Sequence, residues 1–228
     1  MKNNEKMKQI RNGLIVSCQA QKGEPTYKDG VIACMALAAE CGGAAGIRAN
    51  GIKDIVEIRK VVSLPIIGLI KKNYDDSEVF ITPTMDEINK LMDTGVDIIA
   101  MDATNRLRPG GISLGQLFDM IKKHYPDQLL MADCSTYEEG LCAAGIGFDI
   151  IGTTMSGYTK ETKGVSLPDF HLMELLAKNC NVPVIAEGGI WTPEELKKTF
   201  DCGVYASVVG TAITRPHEIT RRFVSVLK

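Results

Sequence analysis

V-P-V-I-A-E-G-G-I-W-T-P-E-E, residues 182–195, reads as one complete strand–turn–helix unit. Five mostly apolar residues, Val182 to Ala186, form a short strand buried on both faces, and a carboxylate, Glu187, stands at its mouth. Gly188 and Gly189 follow. Thr192 then serves as a helix N-cap, with Pro193 at the first helical position and Glu195 three residues after the cap. An acid beside bare backbone suits chemistry next to an anion, because glycine exposes N–H groups and lets a ligand come close. Glycines at such a turn also answer a plain need for positive φ, so this stretch sets the unit of the fold and leaves its chemistry open.

The unit recurs outward in both directions. Strand-like runs lie at Gly13–Cys18, Ala44–Ile47, Pro65–Ile70, Asp97–Met101, Gln128–Ala132, Phe148–Gly152, Val182–Ala186 and Ala206–Gly210. Helical runs lie at 29–40, 53–61, 85–93, 114–124, 137–144, 168–179 and 217–227, the unit after 182–186 supplying its own, and a short leading helix is expected at 5–12. Eight strands each followed by a helical run argue for a parallel sheet covered by helices. Glycines before some strands and prolines at others suggest a repeating pair of units. The fold class is therefore α/β, a single (β/α)₈ barrel over residues 1–228, a usual length for that fold. The competing open doubly wound sheet calls for G-x-G-x-x-G after its first strand, and L-I-V-S-C-Q-A-Q at residues 14–21 is not that.

Composition narrows the function. A formal net charge of -2 leaves no basic footprint for nucleic acid. No apolar run approaches the ~18 residues of a membrane span, and the charged start M-K-N-N-E-K-M-K-Q-I lacks a signal-peptide core. Seven scattered cysteines without a C-x-x-C read as reduced thiols of a cytoplasmic protein. Three histidines without H-x-x-H spacing make a zinc site improbable.

In such a barrel, chemistry collects at the C-terminal ends of the strands, which here read Gln19, Arg48, Lys71, Asp102, Asp133, Thr153, Glu187 and Gly210. Both signs of charge and several hydrogen-bonding groups would meet a polar substrate there. Loops after strands seven and eight commonly bind phosphate, and here they offer Gly188, Gly189, Gly210, Thr211 and the bidentate donor Arg215. A lysine at a partly dry strand end loses solvation and approaches the neutral form that can take a proton or form a Schiff base. Alternation sends Lys71 and Lys72 to opposite faces without saying which points inward. Cys18 and Cys134, near strand ends without a neighbouring histidine, read as packing residues. A barrel that binds a phosphate-bearing ligand without turnover fits the same residues less well, because binding alone does not need both a lysine and a glutamate.

An ordered series of segments then resembles one family. It includes G-L-I-V-S-C-Q-A at 13–20, G-I-R-A-N-G at 46–51, P-I-I-G-L-I-K at 65–71 and I-T-P-T at 81–84. It continues with D-I-I-A-M-D-A-T at 97–104, M-A-D-C-S-T at 131–136 and G-F-D-I-I-G-T-T-M-S-G-Y-T at 147–159. V-I-A-E-G-G-I at 184–190 and V-V-G-T-A-I-T-R-P at 208–216 complete it. The chain resembles the N-acetylmannosamine-6-phosphate 2-epimerases of bacterial amino-sugar and sialic acid breakdown. The resemblance implies a barrel of the ribulose-phosphate-binding type that interconverts N-acetylmannosamine 6-phosphate and N-acetylglucosamine 6-phosphate at C2 of the open-chain sugar. It implies no metal or organic cofactor, a small-molecule sugar phosphate as the only ligand, a cytoplasmic location and a homodimer by analogy. It makes Lys71 rather than Lys72 the base and pairs it with Glu187. Gln19, Arg48, Asp133 and Thr153 would position the sugar, and Gly188, Gly189, Gly210, Thr211 and Arg215 would hold the phosphate. A Schiff-base aldolase of the same fold, acting through Lys71, is the alternative.

Overall fold

The computed structural model describes residues 2–227. Eight parallel strands, β1 (Leu14–Cys18), β2 (Gly46–Asn50), β3 (Ile66–Leu69), β4 (Ile98–Asp102), β5 (Leu129–Asp133), β6 (Ile150–Gly152), β7 (Val184–Glu187) and β8 (Ala206–Val209), pair in chain order, and β8 closes onto β1. Closure removes the open doubly wound sheet. A leading helix, α1 (Lys2–Ile10), precedes the barrel. The outer layer is α2 (Val31–Cys41), α3 (Ile52–Arg59), α4 (Met85–Met92), α5 (Leu114–His124), α6 (Tyr137–Ile146), α7 (Phe170–Asn179) and α8 (Pro193–Asp201), followed by α9 (Thr211–Thr214) and α10 (Pro216–Ser225).

The unbroken apolar strands divide by parity into two cores. Ile15, Ile67, Ile98, Met131, Ile150, Ile185 and Val208 fill the lumen. Their neighbours Val16, Ile47, Ile66, Ile99, Leu130, Ile151 and Val184 face the helix layer. At the N-terminal end, Ile10 of α1 joins the lumen cluster. The Asn12 N–H donates to the Tyr205 carbonyl, and the Tyr205 hydroxyl donates to the Met7 carbonyl. That end of the barrel is therefore plugged, which leaves the C-terminal mouth for a ligand.

Local sequence sets the helix starts. Thr84–Glu87, Ser113–Gln116, Thr136–Glu139 and Thr192–Glu195 all form reciprocal capping boxes. At α8 the Glu195 carboxylate also accepts from the Trp191 N–H, so one side chain secures the turn after β7.

Two expectations on element boundaries need correction. The second strand begins at Gly46 rather than Ala44 and runs to Asn50, which places Arg48 inside β2 and not beyond its end. Residues 211–214, between the expected strand Ala206–Gly210 and the expected helical run 217–227, form α9. The Thr214 hydroxyl lies 2.7 Å from the Ser17 carbonyl and 3.1 Å from the Gly210 carbonyl, and donation to Ser17 fastens this turn to β1. No helix among the described residues is long and apolar enough to cross a membrane. All seven cysteines are free thiols.

Candidate active site

Strand parity carried past the lumen core reaches the polar mouth. Ile15 and Ser17 point the way for Gln19, Ile67 and Leu69 for Lys71, Met131 for Asp133, and Ile185 for Glu187. A cavity of about 420 Å³ opens there, lined among others by Gln19, Lys71, Glu187, Gly188, Thr211 and Arg215. A second, of about 290 Å³, shares Gln19, Lys71, Glu187, Gly188 and Arg215 and adds Arg48 and Thr154. The two are the lobes of one mouth.

Arg48, 1% exposed, is the centre of the deeper lobe. Its Nη2 lies 2.5 Å from Asp133 Oδ2 and its Nε 3.2 Å from Glu187 Oε2. Burial works against the guanidinium charge, but Asp133 and Glu187 outweigh it and hold Arg48 above its ordinary pKa. Glu187 has the opposite balance. Burial, aided by the like charge of Asp133, raises its pKa against the pull of Arg48 and Lys71. The Lys71 amine is pushed down, first by burial and then by Arg48 and Arg215, with Glu187 and Asp133 only partly restoring it. A depressed lysine next to an elevated carboxyl is an acid–base pair whose environments draw the two titrations together.

The neighbouring lysine does something else. Lys72 Nζ donates to the Tyr74 hydroxyl at 2.6 Å and to the capping carboxylate Glu87 at 3.1 Å. It secures the loop after β3 and the start of α4, outside the mouth. The Lys71 N–H meanwhile donates to Asn50 Oδ1, which ties the end of β3 to β2.

Thr153 is a correction. It lies one residue past β6 at an outward position, fully buried, and its hydroxyl donates to the Glu187 carbonyl while accepting from the Glu187 N–H. It stitches β6 to β7 and lines neither cavity of the mouth. Thr154 takes the inward position that follows Ile150 and Gly152. Its hydroxyl lies 2.6 Å from Asp133 Oδ1 and 3.2 Å from Glu187 Oε2. Asp102, also at a strand end, accepts from Thr104 and Arg106 and organises its own loop.

The shallower lobe is built from backbone and loops. Gly188 and Gly189 have φ of +120° and +70°, and a Cβ on Gly189 would come within 2.5 Å of Leu167 Cβ. The turn therefore needs glycine at 189 for conformation and space alone, as the bland reading holds. Gly188, Gly189, Gly210 and Thr211 nevertheless all line the cavity with Arg215. The Arg215 guanidinium is 3.2 Å from Glu24, in the loop after β1. Cys18 and Cys134 are fully buried, and burial pushes the Cys18 thiol up to about 12, so neither offers a thiolate.

Residues 32–228 match the family described as "Putative N-acetylmannosamine-6-phosphate epimerase". The chain belongs to this epimerase family. A family relative from Caldanaerobacter subterraneus subsp. tengcongensis, named as a 2-epimerase, is 56% identical over 97% of this chain and 94% of its own length. Another from Clostridium perfringens strain SM101 is 53% identical over 96% and 98% of the two chains. The solved N-acetylmannosamine-6-phosphate 2-epimerase of Clostridium perfringens superposes with a TM-score of 0.93 at 51% identity, covering 96% of this chain and 95% of that one. A thiamine phosphate pyrophosphorylase from Pyrococcus furiosus, at 14% identity and a TM-score of 0.62, shares the fold alone.

Among the side chains at this epimerase-family mouth that the reading of strand ends leaves out are Thr154, Tyr158 and, through its ion pair with Arg215, Glu24. Thr154 was within reach of that reading, since alternation counted from Ile150 selects it over Thr153. Tyr158, 64% exposed, lines both lobes from the loop after β6, and Glu24 comes from the loop after β1. Neither has a periodic signal that could have marked it.

Proposed function

We propose that the chain interconverts N-acetylmannosamine 6-phosphate and N-acetylglucosamine 6-phosphate, as an isomerase that removes the C2 proton of the open-chain sugar and returns one to the opposite face. The observation that carries this reading is the pairing of a desolvated lysine, Lys71, with an elevated carboxyl, Glu187, in a mouth whose other lobe is a glycine-lined anion cradle. The names of the relatives favour the same reaction over an aldolase.

The chemistry follows from these positions. C2 lies next to an aldehyde, so loss of its proton gives an enolate. Lys71 must be neutral to take that proton, and burial favours the neutral amine. Charge that develops on the enolate oxygen needs a donor already in place, and the Arg48 guanidinium or a protonated Glu187 supplies one without reorganisation. Gln19 and Asp133 orient the sugar. Gly188, Gly189, Gly210, Thr211 and Arg215 take the phosphate, and their binding energy holds C2 in position at a distance. The reaction needs no redox partner and no external electron sink. Among the described residues no group of three or more His, Cys, Asp or Glu is placed to hold a metal. We take the enzyme to work without cofactor, in which case turnover survives exhaustive chelation.

The test is proton NMR of N-acetylmannosamine 6-phosphate with the enzyme in deuterated water. The epimeric product and deuterium at C2 should appear together. Cleavage into smaller fragments, with a borohydride-trapped adduct at Lys71, would replace this reading by the aldolase.

A further inference from the structure

We infer that Thr82 is a positioning residue for Lys71, holding the chain beyond the end of β3 so that the lysine side chain enters the mouth. The inference rests on the epimerase reading for what Lys71 does there, while the geometry is independent of it. β3 pairs with β4 at Ile67–Ile98 and Gly68–Ile99 and ends at Leu69, two residues before Lys71. Residues 80–82, returning from the loop, take the place of a neighbouring strand. The Lys72 N–H donates to the Phe80 carbonyl at 2.9 Å, Lys71 lies opposite Ile81 in an antiparallel bridge, and the Thr82 N–H donates to the Ile70 carbonyl at 2.8 Å. On the other side the Asp102 N–H of β4 donates to the Ile81 carbonyl at 2.9 Å. The pleat of β3 therefore continues through residues 70–72, which sends Lys71 inward and Lys72 out to Glu87.

Thr82 secures this crosspiece in an unusual way. It is fully buried, β-branched and followed by Pro83, all of which favour extended backbone, yet its φ is +47°. Such a conformation is costly and persists only where surrounding contacts over-determine it. The hydroxyl supplies those contacts. It accepts from the Ile70 N–H at 3.2 Å and donates to the Ala100 carbonyl of β4 at 2.7 Å. One side chain thus joins the residue before Lys71 to the neighbouring strand, and Asn50 braces the opposite side by accepting from the Lys71 N–H at 2.8 Å. The charged groups that act on the amine are Arg48 of β2, Asp133 of β5, Glu187 of β7 and Arg215 ahead of α10. Burial is the first cause of the lowered lysine pKa, so a chain end released toward solvent moves the amine back toward its ordinary value.

The test compares wild type with Thr82→Val, Thr82→Gly and Thr82→Ser. Protein labelled with isotopic lysine is titrated by NMR, with Lys71→Met to assign the Lys71 signal, and kcat and KM are measured by the C2 assay. Valine keeps the shape and deletes the hydroxyl. Glycine deletes it too but adopts a positive φ without steric cost, so it decides the matter if the valine variant does not fold. In both, kcat should fall about tenfold to a hundredfold with KM within about threefold, and the Lys71 midpoint should rise by about half a pH unit or more. Serine, which keeps the hydroxyl, should bring kcat back to within about threefold of wild type and restore the midpoint. An unmoved midpoint or an unmoved kcat in the glycine variant, or a serine variant as impaired as the glycine one, overturns the inference. Deuterium exchange at C2 that survives in Lys71→Met would instead overturn the role given to Lys71, and the titration would still report whether Thr82 places its amine.

Discussion

The two lobes of the mouth are built on different principles. The deep lobe is made of side chains on strand ends, Arg48, Asp133 and Glu187, locked together at 2.5 and 3.2 Å inside the barrel, with Lys71 desolvated beside them. The shallow lobe is made of loop backbone around Gly188, Gly189 and Gly210 and one arginine that holds a carboxylate from another loop. The deep lobe is closed on itself, so that disturbing any member leaves a buried charge without its partner. The shallow lobe has one exchangeable contact. Chemistry and stability should therefore be coupled in the first and separable in the second, and substitutions can test that contrast.

The largest effect belongs to Lys71. In Lys71→Ala, deuterium exchange at C2 should fall by roughly 10²–10⁴-fold or more, the usual weight of a general base, while Lys72→Ala stays within about threefold of wild type. Equal losses in the two variants would mean that parity does not separate them. The pH dependence has a definite sign. As the proposed base, Lys71 would act when neutral, and its pKa is depressed, so kcat should rise as pH climbs through that lowered value and fall in acid. The depression also opposes folding below the ordinary lysine range, because the unfolded chain binds the proton more readily. Lys71→Met should abolish exchange yet raise the melting temperature by roughly 2–4 °C, about 1 kcal/mol, as expected when a buried ionisable group is exchanged for an apolar one.

Next comes Asp133→Ala. It leaves the fully buried Arg48 without its short partner, and losing one member of a buried pair costs roughly 3–5 kcal/mol. The urea midpoint should fall with the activity. An Asp133→Ala enzyme that loses turnover but keeps its stability would show that Arg48, Asp133 and Glu187 are not the interlocked unit described.

Parity also explains how much of this was legible in the sequence. Continuous apolar runs disclosed the strands, and the spacing of Thr192 and Glu195 disclosed the start of α8, because both are local. Inward and outward positions follow from alternation only once an inward residue is known, which is why Thr153 and Thr154 were confused and Lys71 and Lys72 were separable only through the family resemblance. Contacts between distant residues were out of reach. Arg48 meets Asp133 across 85 positions, and no spacing rule joins Glu24 to Arg215. The start of β2 was missed by two residues because Ala44 and Ala45 are as apolar as the strand they precede.

In the shallow lobe, Arg215→Gln should raise KM about tenfold to a hundredfold, the weight of one charge-assisted contact to phosphate, with kcat and thermal stability close to wild type. A matching fall in kcat would mean that phosphate binding and C2 placement are one event, and the two lobes would then be less separable than their construction suggests.

The smallest effect is the most discriminating. Glu24 holds the Arg215 guanidinium at 3.2 Å, and both side chains keep some exposure, 18% and 25%. Such a pair is worth about 0–1 kcal/mol. If an incoming phosphate takes the guanidinium from Glu24, Glu24→Gln removes the competitor, and KM should fall by up to about fivefold at low ionic strength with kcat unchanged. The difference should shrink as salt screens both the ion pair and the phosphate. If KM rises instead, Glu24 is not a competitor but a brace that aims Arg215 at the phosphate, and the shallow lobe would be pre-organised by an ion pair in the same manner as the deep one.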